Sequence, residues 1–266
     1  MTMPSLTFPR RSARLGRYSA WQSRDFVINI AILTIILFGL IGGVEIMQLR
    51  FQERLMAGRP FQRPIPINAK LTQFLSIYGM FSIVAPIIAT SGIVSQDCTL
   101  GYTRFLFSKP LSVRSFYLQS FLVRMIGLLA LGQILVLAYG HFEPPAYTPH
   151  FLAEMSISFL SVAGVVFLLS TVTRYDGLLA IVFFLFGTLV RSRWESAGGL
   201  GQALTYLFPP IDQSERLRRW VLGLGPMGEL MSPDFPWKLV LWNGGYGLAC
   251  LLLGLYLLRR IPLTKA

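Results

Sequence analysis

The sequence predicts an all-α polytopic membrane protein, and three observations carry that prediction. Of 266 residues, 53% are hydrophobic and 14% charged, where soluble domains sit near about 45–50% and about 25%. The apolar residues are gathered into long runs nearly free of charge, a clustering that an oily soluble core would not require. Short basic segments alternate with these runs, as interfacial anchors between spans would. The expected architecture is six transmembrane helices, an N-terminal interfacial helix before them, and an amphipathic outer segment ahead of the last span. No internal repeat, low-complexity tract or linker to a second soluble domain is visible, so residues 1–266 read as one membrane domain.

Residues 1–25 carry Arg10, Arg11, Arg14, Arg17 and Arg24, while Leu15, Tyr18 and Trp21 recur every three residues among them. That spacing makes an amphipathic helix whose apolar side enters the acyl boundary while its guanidinium groups meet phosphates. Arg14, Arg17 and Trp21 are its membrane-interface residues. Arg10-Arg11 could open an export signal, but no small-residue cleavage site closes the apolar run that follows, so residues 26–44 are read as an uncleaved first span.

The second span covers about residues 71–95, with Pro86 expected to kink it and neighbouring helices to satisfy the freed carbonyl. The third covers 116–140. Its Arg124 lies about two turns in and is expected to snorkel to the interface. The fourth covers 151–172 and the sixth 239–258, the latter closed by Arg259 and Arg260.

The fifth run, 177–190, is short: 14 residues make about 21 Å of helix against a core of about 30 Å. It either crosses with Arg174, Asp176, Arg191 and Arg193 snorkelling, or it is re-entrant. Crossing is favoured, because Arg174-Tyr175-Asp176 reads as a tight polar turn and Arg191-Ser192-Arg193-Trp194 as an interface anchor.

The segment from Arg191 to Lys238 is too patterned for a bare loop. Asp212 and Glu215 form a plausible helix N-terminal box, and Leu217, Trp220, Val221 and Leu224 make an apolar stripe opposite Arg216, Arg218 and Arg219. A helix lying on the membrane is the expectation, bounded by Pro209-Pro210 and by Ser232-Pro233-Asp234.

A net charge of +12 and a pI near 10.2 raise nucleic acid as a partner. No Lys/Arg run with interleaved aromatics forms a soluble face, so anionic lipid is the expected counterion and no nucleic-acid partner is read. Cys98 lies in a polar island and Cys250 inside the last apolar run, which reads as two free thiols.

Several patterns carry little chemistry. Gly223-Leu224-Gly225-Pro226-Met227-Gly228 matches G-x-G-x-x-G but lacks a preceding strand and has proline in the phosphate turn. No phosphate-loop motif occurs, so ATP would be used only through a partner, and no cofactor is expected. His141, His150, Glu143 and Glu154 have the spacing of no standard metal set, and none is read as a metal site. Glu154 has no catalytic constellation around it and is expected to tolerate alanine in the absence of enzymatic function. Asn29, Gln73, Gln133 and Asn243 are read as interhelical hydrogen-bonding amides.

The informative stretch is Ser95 to Phe116, a polar and basic island between two apolar runs. Asp97 ends the second span; Gly101, Thr103-Arg104-Phe105-Leu106-Phe107 and Lys109-Pro110-Leu111-Ser112 follow, then Arg114 and the third span. Leu100, Phe105 and Leu106 can form one apolar face with Arg104 and Lys109 in the headgroups, giving a short helix parallel to the membrane. Pro110 ends it and Ser112 can cap the next helix, with Ser115 as second choice.

This island resembles the coupling region of the ABC transporter type-2 permease family. Asp97, Gly101, Thr103, Leu106, Pro110, Leu111, Ser112 and Arg114 stand at places comparable to the family's pattern of an acidic residue, Gly and Thr, and a Leu-rich tail with Pro, Ser and Arg. Arg114 follows Ser112 by two residues where the pattern has them adjacent, and Tyr102 separates Gly101 from Thr103. The resemblance implies a membrane-spanning subunit, mostly of exporters, with no enzymatic site of its own. Its partners would be a separate ABC ATP-binding subunit and a second permease copy, giving a homodimer in the cytoplasmic (inner) membrane.

It further implies Asp97, Gly101, Arg104, Phe105, Pro110 and Arg114 as partner-docking residues, moved as a lever that shifts spans one, two and five. Charge counting does not orient the chain, with 13 Lys/Arg on the N-terminal side against the other 11 of the 24 in total. The resemblance places both termini in the cytoplasm. The other reading is a non-transporting structural subunit of a larger membrane complex built on the same fold.

Overall fold

The computed structural model describes residues 68–99, 112–142, 150–194, 206–221 and 236–258, together with Ile28, Ala31, Ile35 and Gly39, which are helical. Besides those four positions, the described residues form seven helices and no strand: α1 (Asn68–Thr90), α2 (Ser95–Thr99), α3 (Val113–Phe142), α4 (His150–Val172), α5 (Asp176–Trp194), α6 (Ile211–Val221) and α7 (Trp237–Leu257). Four stretches are long and apolar enough to cross a membrane: Ile77–Cys98, Val113–Leu137, Phe151–Val172 and Trp237–Leu257. The first span and the N-terminal interfacial helix, with Arg14, Arg17 and Trp21, otherwise lie outside the described residues.

Helix α4 is the hub, packed against α1, α3, α5, α6 and α7. Its middle, Ser161 to Phe167, is buried all round, as expected for a helix enclosed by others. Aromatic pairs tie it to its neighbours: Phe151 to Tyr78 and Phe159 to Phe81 on α1, Phe167 to Phe121 on α3. The first two pairings make α1 parallel to α4, and Phe121 on Phe167 together with Gly132 against Met155 makes α3 antiparallel to it.

The tightest crossing is between α4 and α7. A Cβ on Gly164 would collide with the Gly247 carbonyl, and one on Gly247 with the Leu160 carbonyl. Further along, a Cβ on Gly254 would lie 2.8 Å from the Phe167 ring. Lipid tails are as apolar as leucine, so helices in a bilayer gain by close backbone approach, and small residues permit it. Asn243, Gly247, Leu251 and Gly254 are the buried stripe of α7, spaced i, i+4, i+8 and i+11 along one face.

The same pairings make α4 and α7 parallel. The chain therefore has to return between them, and α5 makes that return after the turn at Thr173–Tyr175. Its Ala180 and Phe184 pack on Ile87, Val162, Val165 and Val166. The helix outruns the 14-residue apolar stretch because Arg191 to Trp194 continue it, giving 19 residues.

Candidate functional site

Of the docking residues expected from the sequence, Gly101, Arg104, Phe105 and Pro110 lie outside the described residues. Asp97 and Arg114 are described and stand at the two roots of the island. Asp97 is in α2, and the buried hydroxyl of Tyr117 on α3 lies beside its carboxylate. Arg114 is in the first turn of α3 and half-buried. Ser112 caps that helix as expected: its Oγ accepts the Ser115 backbone N–H at 3.3 Å and donates to Ser115 Oγ at 2.6 Å. The island thus leaves and re-enters the bundle at one place.

The outgoing root is a break in the helix. Residues 91–94 turn between α1 and α2, and Gly92 takes φ +75°, which only glycine adopts without strain. A Cβ there would also meet the Gln96 side chain at 2.6 Å. Two charged side chains grip this break. Arg124 of α3 donates from Nη1 to the Ala89 carbonyl at 2.7 Å and the Ser91 carbonyl at 3.5 Å. Asp176, in the first turn of α5, accepts the Gly92 N–H on Oδ2 at 2.6 Å.

Both contacts give these side chains backbone partners that the sequence reading did not name. Arg124 and Asp176 were expected to reach for the interface, but a helix end offers unpaired carbonyls and a break offers a free N–H. A charged group inside the bundle satisfies these better than a neutral one. Asp176 is only 4% exposed.

At the other end of the bundle lies a constellation that the sequence did not reveal. Glu154, 1% exposed, accepts the Tyr78 hydroxyl at 2.7 Å and the Ser158 hydroxyl at 2.9 Å. Arg218 of α6 enters from the opposite side, with Nε 3.5 Å from Glu154 Oε1, Nη2 donating to Ser82 Oγ at 2.9 Å, and its guanidinium carbon 4.9 Å from the Tyr78 ring centroid. Beside it, the Ser214 hydroxyl donates to Asn243 Oδ1 at 3.1 Å. Buried charges survive when paired and hydrogen-bonded, and here α1, α4 and α6 each supply a member.

The outer helix forms where expected, but Arg218 turns into the bundle rather than away from it with Arg216. Ser214, Leu217 and Arg218 are buried, while Arg216 is exposed. Asp212 falls inside the helix, which begins at Ile211. The approach to α6 is built in as well. Phe208 packs on Phe183 and Phe186 of α5, its carbonyl accepts from Arg191 at 3.4 Å, and the Leu207 carbonyl accepts the Tyr246 hydroxyl at 2.7 Å.

Glu154 thus has three side-chain partners that the sequence reading did not name. Both of its oxygens are engaged, Oε2 by Tyr78 and Oε1 by Ser158 and Arg218. Its pairing seats α6 in the bundle. Of the four intramembrane amides, Asn243 bonds between helices, whereas Gln133 Nε2 has no hydrogen-bond partner among the described residues. Compared with protein-family models, curated proteins and solved structures, the chain matches none.

Proposed function

We propose that the chain is the membrane-spanning permease subunit of an ABC transporter, an exporter whose ATP hydrolysis is carried out by a separate ATP-binding subunit. Residues 100–111 form its docking element, and the chain pairs with a second copy of itself. The reading rests on the island's resemblance to the type-2 permeases, and the observation that carries it is the grip on the island's root. Arg124 from α3 and Asp176 from α5 both hold the break at Ser91–Val94. A force applied to the island would thereby reach α1, α3 and α5 together, which a lever between ATPase and bundle requires.

The topology that goes with this function has six spans. The parallel pair α4 and α7 needs a crossing between them, and α5, with 19 residues or about 28 Å, nearly matches a core of about 30 Å. Residues 26–44 supply the first span. With the island facing the ATPase, both termini are cytoplasmic and the Glu154–Arg218 end faces away from it.

The test is a gentle-detergent pull-down of tagged chain beside a Phe105→Asp/Arg104→Glu variant, scoring co-purified ATPase subunit and ATP hydrolysis. Retention by the native chain and loss in the variant is the expected result. If no ATPase accompanies either, the chain is instead a structural subunit of a larger membrane complex.

A further inference from the structure

A five-residue helix ahead of a basic island would not hold its direction alone. One hydrogen-bonded turn repays little of the entropy that it costs, so α2 is oriented by its fastenings. Along its length Tyr117 of α3 lies beside Asp97 and Cys98 packs on the core, and its root is held as well. Two fastenings of the root cross from other helices. Arg124 grips the carbonyl end of α1 at Ala89 and reaches the first residue of the break at the Ser91 carbonyl. Asp176 acts at the break itself, on the N–H of Gly92, whose own carbonyl accepts the Gln96 N–H in α2 at 3.2 Å. Gly177, next in α5, comes close enough for its missing Cβ to sit 3.3 Å from Ser91. The first turn of α5 is thus seated on the peptides from which α2 departs.

We propose that Asp176 is a positioning residue through which α5 sets the direction of α2 and of the island behind it. Its carboxylate and the left-handed glycine form one joint: the glycine allows the turn, and the acceptor fixes its rotation. Asparagine would keep an oxygen for Gly92, whereas alanine would free the break while the remaining packing of α4 and α7 stayed whole. That the island docks an ATPase rests on the permease reading; the joint itself does not, and it can be tested without a partner.

Cys98 reports on it from inside α2, where it is half-buried against the core, and Cys250 of α7 is half-buried far from the break in sequence. Alkylation of such thiols samples local opening. In the purified full-length chain carrying Cys250→Ser, Asp176→Ala is expected to raise the rate of Cys98 alkylation by N-ethylmaleimide about tenfold, and Asp176→Asn by no more than about twofold. In the chain carrying Cys98→Ser, Cys250 should react at its native rate in all three versions. An unchanged Cys98 rate in Asp176→Ala overturns the proposal. So does an equal rise at Cys98 and Cys250, which would mark general loosening, or an asparagine variant as reactive as the alanine one. None of these outcomes depends on whether an ATPase is recovered in the pull-down.

Discussion

Arg218 stops with Nε 3.5 Å from Glu154 Oε1, and the two residues are 64 positions apart in sequence. Neither charge would be tolerable alone at such depth, because an isolated ion in a low-dielectric interior loses several kcal/mol of hydration. The pair also fastens the most polar helix of the described chain to its most enclosed one.

This makes the two side chains non-additive. Glu154→Leu leaves a buried guanidinium without its counter-charge and is expected to cost about 3–5 kcal/mol. Adding Arg218→Met removes the orphaned charge, so the double variant should recover most of that loss. Melting temperatures of the four proteins in detergent, arranged as a double-mutant cycle, measure the coupling. A double variant as unstable as the sum of the singles would show that the residues act independently.

Gly79 sets the room for the guanidinium. A Cβ at this position would lie 2.7 Å from Arg218 Nη1, and the arginine cannot simply swing aside without losing Ser82 and Glu154. Gly79→Ala should therefore destabilise by about 1–3 kcal/mol, the usual range for overpacking. In an Arg218→Met background, whose side chain is uncharged and more adaptable, the same substitution should cost much less.

The fold was legible where composition alone determines it. Helices α1, α3, α4 and α7 rise from apolar runs whose ends the charges mark to within a few residues, since a bilayer admits few other solutions. The partners of the charges were harder to read. Arg218 shares an inward face with Ser214 and Leu217 at i, i+3 and i+4, a pattern present in the sequence but outweighed by its neighbours Arg216 and Arg219. A lone Glu154 just inside a span was itself a signal that a cation must come to it. Asp176 and Arg124 read as snorkelling because their true partners are backbone groups at a helix break, which no side-chain pattern encodes.

Glycines on α7 should separate by neighbour rather than by position. Gly245 has nothing within 4 Å of a built Cβ, so Gly245→Ala is expected to be neutral or to stabilise by up to about 1 kcal/mol through helix propensity. Gly247→Ala would drive a methyl into the Leu160 carbonyl and lies 2.7 Å from Ser161 Cα. Backbone cannot yield as a side-chain tip does, so that variant should push α7 off α4 and lower the melting temperature clearly. Comparing the two in one detergent tests whether the crossing is as close as the geometry has it.

Arg124 supplies the last prediction, because its role at the break differs from that of Asp176. Its guanidinium accepts nothing and donates to the Ala89 and Ser91 carbonyls, the negative end of the α1 dipole. Hydrogen bonds to a charged donor contribute about 1.5–3 kcal/mol, so Arg124→Met should open the last turn of α1 by about that much. The Ser91 N–H, bonded to the Ile87 carbonyl at 2.9 Å, is the amide to follow. Hydrogen exchange there should quicken by about ten- to a hundredfold, while amides in the middle of α4 keep their protection. Lysine at 124 should restore only part of the effect, having one compact charge where arginine offers a planar fork. If exchange at Ser91 is indifferent to both substitutions, the carbonyl end of α1 is held by its own helix and packing, and the arginine at 124 contributes nothing to the root of the island.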